Sequence, residues 1–153
     1  MREKVVQMFV TAVILLAGIG GASAVELGSG TQTDADITGE IVIRCHYQVG
    51  EFGAAAVQMC VETERVAREA LAQYPEESAD IVLLCVRNMY DVGWGMIRAC
   101  ADNNIAADAA LQTYPPEHGD IIRACQAKIG PNRYVEVKTC VDEMIAGQQG
   151  PAD

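Results

Sequence analysis

Six cysteines, Cys45, Cys60, Cys85, Cys100, Cys125 and Cys140, fall at intervals of 15, 25, 15, 25 and 15 residues. Thiols at such places serve as metal ligands, as a redox pair or as structural disulfides. A structural zinc site uses four ligands in closely spaced pairs, and intervals of 15 and 25 do not supply them. Redox sites typically use Cys-x-x-Cys with a depressed pKa, and the chain has none. Structural disulfides fit an even number of regularly spaced cysteines in an exported chain.

The remaining reactive side chains form no catalytic pattern. His46 and His118 are the two histidines and do not recur at a common interval. Beyond residue 24 the serines are Ser29 and Ser78, so a Ser–His–Asp arrangement has little to draw on. No Gly-rich phosphate loop is present. Met59, Met89, Met96 and Met144 could supply thioethers to Cu(I), but they are not clustered and read as packing residues. Glu62, Asp102 and Asp142 each follow a cysteine by two. They are expected to form a solvent-facing acidic stripe. Four aromatic residues, Phe52, Tyr90, Trp94 and Tyr134, gather around the connections between expected helices. The plainer reading is a plug at each hairpin end. The sharper one makes Phe52, Trp94 and Tyr134 anchors for a protein partner, because Trp and Tyr are over-represented among binding hot spots.

The elements that position these groups follow from a 40-residue period. Ile41, Ile81 and Ile121 align, as do Val49, Met89 and Ile129, and Val57, Ile97 and Val137. Leu71-x-x-Tyr74-Pro75 returns as Leu111-x-x-Tyr114-Pro115. A fixed period of this length marks a repeat array. In each unit, apolar residues at 41, 42, 45 and 49 and their counterparts line one face of a short helix. Apolar residues at 57, 60, 61, 67, 71 and 74 line a longer one. Thr38 and Ser78 are expected as N-caps. Gly50 and Gly130 are expected to stop the first helix of their units, and the Tyr-Pro pairs to close the second. The layout is similar in kind to helical-hairpin arrays such as the tetratricopeptide and Sel1-like proteins. The tetratricopeptide signature and its period of about 34 residues are absent.

Height along the helices selects the disulfide partners. At 1.5 Å per residue, Cys45 and Cys60 lie within about 3 Å of one level if the hairpin turns near residues 50–53. Cys60 and Cys85 would differ by about 12 Å, beyond the roughly 7 Å that a disulfide bridges between Cα atoms. The expected pairs are therefore Cys45–Cys60, Cys85–Cys100 and Cys125–Cys140. Each closes a loop worth about 3 kcal/mol in the chain-entropy account.

The amino terminus reads as a secretory signal. A charged head, Arg2-Glu3-Lys4, precedes an apolar run and the small-x-small triplet Ala22-Ser23-Ala24. Cleavage after residue 24 leaves 9 basic and 20 acidic side chains, a net charge of −11 against −10 for the whole chain. That balance argues against nucleic-acid binding, which needs cations to displace counterions. No later stretch is long and apolar enough to span a bilayer.

The expectation is an all-α protein with a signal peptide at 1–24, a flexible leader at 25–37 and a three-repeat domain at 38–153. Its units are 38–77, 78–117 and 118–147, the last truncated. The three disulfide-pinned hairpins form a short α-solenoid or compact helical array. The expected compartment is the bacterial periplasm or the extracellular space. The expected role is a non-enzymatic structural or protein-interaction module, with no cofactor and no metal. The alternative is a periplasmic small-ligand or metal-ion binder.

Overall fold

The computed structural model describes residues 34–149. The expected signal at 1–24 and residues 25–33 of the expected leader lie outside them. Six α-helices form three hairpins: α1 (Asp34–Val49) with α2 (Ala54–Leu71), α3 (Ala79–Met89) with α4 (Trp94–Thr113), and α5 (Gly119–Ile129) with α6 (Tyr134–Gln149). Single 3-10 turns at Gly50–Phe52, Glu76–Ser78 and Pro116–His118 link several of them. Among the described residues no helix is long and apolar enough to cross a membrane.

Each hairpin is pinned within itself. Cys45–Cys60, Cys85–Cys100 and Cys125–Cys140 are bonded, with Cα separations of 5.7, 5.8 and 6.0 Å. Helices usually pack about 8–10 Å apart, so the bridge needs small neighbours. Ala56 precedes Cys60 by one turn, and Ala99 and Ala101 flank Cys100. Cys45, Cys85 and Cys125 are buried, so the first helix of every unit turns its sulfur inward.

Neighbouring hairpins pack through their second helices, α2 on α4 and α4 on α6. The interior divides in two. Ile37, Ile41, Leu71, Val82, Trp94 and Ile97 belong to one core shared by units 1 and 2. Leu111 joins Ile121, Cys125, Val137 and Val141 in a smaller core around unit 3.

Local chemistry corrects several boundaries. Helix α1 begins at Asp34, ahead of the expected cap Thr38, which therefore lies inside the helix. Ile37 is 5% exposed and stands one turn before buried Ile41. Burying that pair offsets the weak helix propensity of Thr38 and Gly39. Asp36 places negative charge in the first turn, where the helix dipole favours it. Ser78 directly precedes α3, but its side chain makes no capping hydrogen bond. It is buried, and its N–H donates to the Pro75 carbonyl over 2.9 Å. Gly50 does not stop α1 by a left-handed turn. In units 1 and 2 the positive φ instead lies at the start of the second helix, at Gly53 (92°) and Gly93 (134°). Only in unit 3 does it lie where the first helix ends, at Gly130 (113°).

Candidate functional site

The joint between units 1 and 2 is closed by the chain's own polar groups. Glu64 on α2 accepts hydrogen bonds from the N–H groups of Trp94 (2.6 Å) and Gly95 (3.2 Å). Gly93, at the N-cap of α4, offers no side-chain cap. A carboxylate from the neighbouring unit therefore satisfies two of the orphan donors at that helix start and complements its dipole. A Cβ on Gly93 would stand 2.6 Å from a Glu64 oxygen, so a larger residue there is strained by its φ and would also push the carboxylate off the Trp94 and Gly95 N–H groups. Arg44 on α1 lies 3.5 Å from the same carboxylate, and both side chains are 13% exposed.

Aromatic rings fill the rest of this joint. The Arg44 guanidinium carbon lies 5.7 Å from the Tyr90 ring centre, and that of Arg68 lies 5.8 Å from the Trp94 ring centre. These are cation–π distances. Tyr90 and Trp94 meet edge to face at 6.0 Å. The Tyr90 hydroxyl donates to Glu40, and the Gln48 amide donates to the Val92 carbonyl over 3.2 Å.

A second contact recurs in both joints. The Tyr74 hydroxyl donates to Asp102 and the Tyr114 hydroxyl to Asp142, each across 28 residues. The acidic stripe expected to face solvent does so, since Glu62, Asp102 and Asp142 are all exposed, and two of the three also accept a hydrogen bond from the preceding unit. Asp102 and Asp142 join one unit to the tyrosine that closes the preceding one. Glu62 in unit 1 instead pairs with Arg65 on its own helix. The Tyr114 hydroxyl is held above its ordinary pKa by the Asp142 hydrogen bond and then by burial. Asp142 is held below the usual carboxylate range by Lys138 and then by Tyr114.

Forty residues further on, the groups that close the first joint all become smaller. Arg44, Gln48, Glu64 and Arg68 give way to Leu84, Asn88, Asn104 and Asp108; Tyr90 and Trp94 give way to Gly130 and Tyr134. A cleft of about 590 Å3 opens between units 2 and 3. The carboxamides of Asn88, Asn103, Asn104 and Asn132 line it. Leu84, Met89 and Val135 supply apolar wall. Arg133 and Glu136 also line it and are paired at 2.7 Å, and that pairing holds the Glu136 carboxyl below its ordinary range. Asn104 turns back to donate to the Cys100 carbonyl over 2.9 Å, so it does not reach the start of α6 as Glu64 reaches α4. A pocket of about 270 Å3 shares Leu84 and Asn132 with the cleft and adds Asp80, Arg87 and Tyr134. Burial raises the Tyr134 hydroxyl pKa, and the carboxylates of Asp108 and Asp80 raise it further.

The three expected partner anchors separate. Phe52 is 71% exposed at the free tip of unit 1. Trp94 is 2% exposed, which corrects its reading as a surface anchor: the end of unit 2 is pressed against α2, and the indole is a core side chain. Tyr134 is half-buried at the second joint. The counterparts of Phe52 in the period are Val92 and Asn132, so the three aromatic residues were never one row.

Sequence reasoning passed over Arg44, Gln48 and Glu64. Their signal was a change at each position forty residues on, Arg44 to Leu84, Gln48 to Asn88 and Glu64 to Asn104. Glu64 forms an ion pair with Arg44 on α1, a contact that spacing along α2 alone does not show. Among the described residues no three His, Cys, Asp or Glu side chains gather as metal ligands. Comparison with protein-family models, with curated proteins and with solved structures found no match to this chain.

Proposed function

We propose that the chain is an exported, non-enzymatic helical-repeat module that binds a protein partner. The observation that supports this is the difference between its two joints. One is packed shut by its own side chains, and the other carries a cleft of about 590 Å3 walled by apolar and carboxamide groups. That volume lies within the roughly 300–1,000 Å3 of ordinary ligand pockets. Phe52 offers a second contact point at the free hairpin tip. The amino-terminal pattern supports export, where disulfides persist.

The reading is tested by crosslinking the secreted protein to its native envelope extract. Captured proteins are quantified against two variants, Phe52→Ser and the pair Leu84→Arg with Asn104→Glu, which rebuilds first-joint groups in the cleft. A partner captured by the native chain and depleted at least fivefold by either variant supports the module. Equal capture by all three forms, or substrate turnover by the native chain alone, contradicts it.

A further inference from the structure

The cleft between units 2 and 3 has a template inside the same molecule. In the first joint, position 48 reads a main-chain carbonyl through the Gln48 amide, and position 64 reads two main-chain N–H groups through Glu64. The corresponding residues Asn88 and Asn104 both line the cleft. Each is shorter than its counterpart, and the Arg44 side chain that would fill the space between them is replaced by Leu84. Position 88 thus keeps a carboxamide, position 104 exchanges a carboxylate for a carboxamide whose nitrogen donates to the Cys100 carbonyl and whose oxygen is left to accept, and the space between them and the facing segment is open.

We infer that this cleft binds an extended peptide segment of a partner protein, recognised chiefly through its main chain. This rests on the interaction-module reading and assigns it a site and a ligand class. A carboxamide carries an acceptor oxygen and two donor hydrogens, so it can serve either the C=O or the N–H of a peptide group. Asn103 and Asn132 add two more such groups to the wall. Main-chain bonds then give affinity, and the apolar wall at Leu84, Met89 and Val135 selects side chains. Charge agrees. The chain carries −10, yet the cleft and its adjoining pocket are lined by two acids, Glu136 and Asp80, and two bases, Arg133 and Arg87. A neutral lining suits a neutral main chain better than a cationic ligand.

The test uses the full secreted chain and a display library of random heptapeptides. Selected peptides are titrated against the native protein, Asn88→Ala, Phe52→Ser and the cleft-filling pair Leu84→Arg with Asn104→Glu. Affinity should fall at least tenfold in the filled variant and about fivefold in Asn88→Ala, the loss of about one hydrogen bond. Phe52→Ser should leave it unchanged. Asn88 is exposed, so its variant remains informative if the filled one does not fold. N-methylation at one central peptide bond should weaken binding at least tenfold. Peptides that bind the native and Asn88→Ala proteins equally, or that tolerate N-methylation at every bond, overturn the inference. So does a library that yields no peptide, or an oligosaccharide panel that binds in the cleft instead. Partner capture through the Phe52 tip would survive these failures, so the two readings fail separately.

Discussion

The two joints of this array share a helix order and differ in the hairpin connection, with its left-handed glycine at Gly93 in one and Gly130 in the other, and in what fills the space between units. In the first, Glu64, Arg44, Tyr90 and Trp94 make one closed set of contacts, and units 1 and 2 share a core. In the second, the equivalent residues are smaller, a cleft remains, and unit 3 has its own modest core. A repeat therefore fixes where units meet without fixing how tightly. Side-chain size at six positions decides whether a joint is a seal or a site.

The comparison can be broken at its anchors first. Trp94→Ala should cost about 4 kcal/mol in urea unfolding, the usual loss for a buried indole. Tyr134→Ala, half-buried, should cost about half as much. Similar losses would erase the distinction between sealed and open joints. Next comes the covalent pin. Replacing Cys125 and Cys140 by Ser should cost about 3 kcal/mol. The lost amide protection should be concentrated in residues 119–149 and the end of α4 around Leu111 and Tyr114, which share that core. Replacing Cys85 and Cys100 should instead loosen units 1 and 2 together.

Glycine substitutions give a finer contrast. Gly93→Ala meets both backbone strain and the Glu64 carboxylate, and should cost about 3 kcal/mol, the upper end for such a position. Gly130→Ala meets strain alone, with nothing within 4 Å of the added carbon, and should cost about 1 kcal/mol. Glu64→Gln should cost about 2 kcal/mol, because it leaves Arg44 largely buried beside a neutral group and weakens the α4 cap. The smallest effect belongs to the contact that both joints share. Tyr74→Phe and Tyr114→Phe should each cost about 0.5 kcal/mol, as exposed hydrogen bonds do. The pH dependence has a definite sign. The lowered Asp142 pKa contributes stability that is present above about pH 4 and is lost as pH falls through its folded value. The raised Tyr114 pKa contributes below about pH 10 and is lost as pH rises through its folded value. The difference between native and Tyr114→Phe proteins should accordingly be flat between pH 5 and 9 and shrink beyond either end.

Much of this architecture is legible from residue spacing. The 40-residue period and the common level of Cys45 and Cys60 suffice for three self-pinned hairpins, because both depend only on helical rise. The i,i+4 pairs Arg65–Glu69, Arg98–Asp102 and Lys138–Asp142 are local in the same sense and are present. What faces a helix from the next unit is not encoded in its own period. Asp102 and Asp142 are therefore legible as solvent-facing, which they are, but not as acceptors of a tyrosine hydroxyl from 28 residues back. Trp94 looked like a tip because a hairpin end is free in isolation, and stacking buries it. The early start of α1 was hidden because Thr38 resembles a cap, while the burial of Ile37 depends on tertiary contact. The cleft becomes legible only when the non-repeating positions 44, 48 and 64 are compared with 84, 88 and 104.

Amide hydrogen exchange at the starts of the two equivalent helices tests the contrast most directly. Trp94 and Gly95 donate to Glu64, and their amides should exchange slowly. The amides of Tyr134 and Val135, where Asn104 turns away, should exchange at least tenfold faster until a ligand fills the cleft. Equal protection of both pairs in the unliganded protein would contradict the account of one closed joint and one open one.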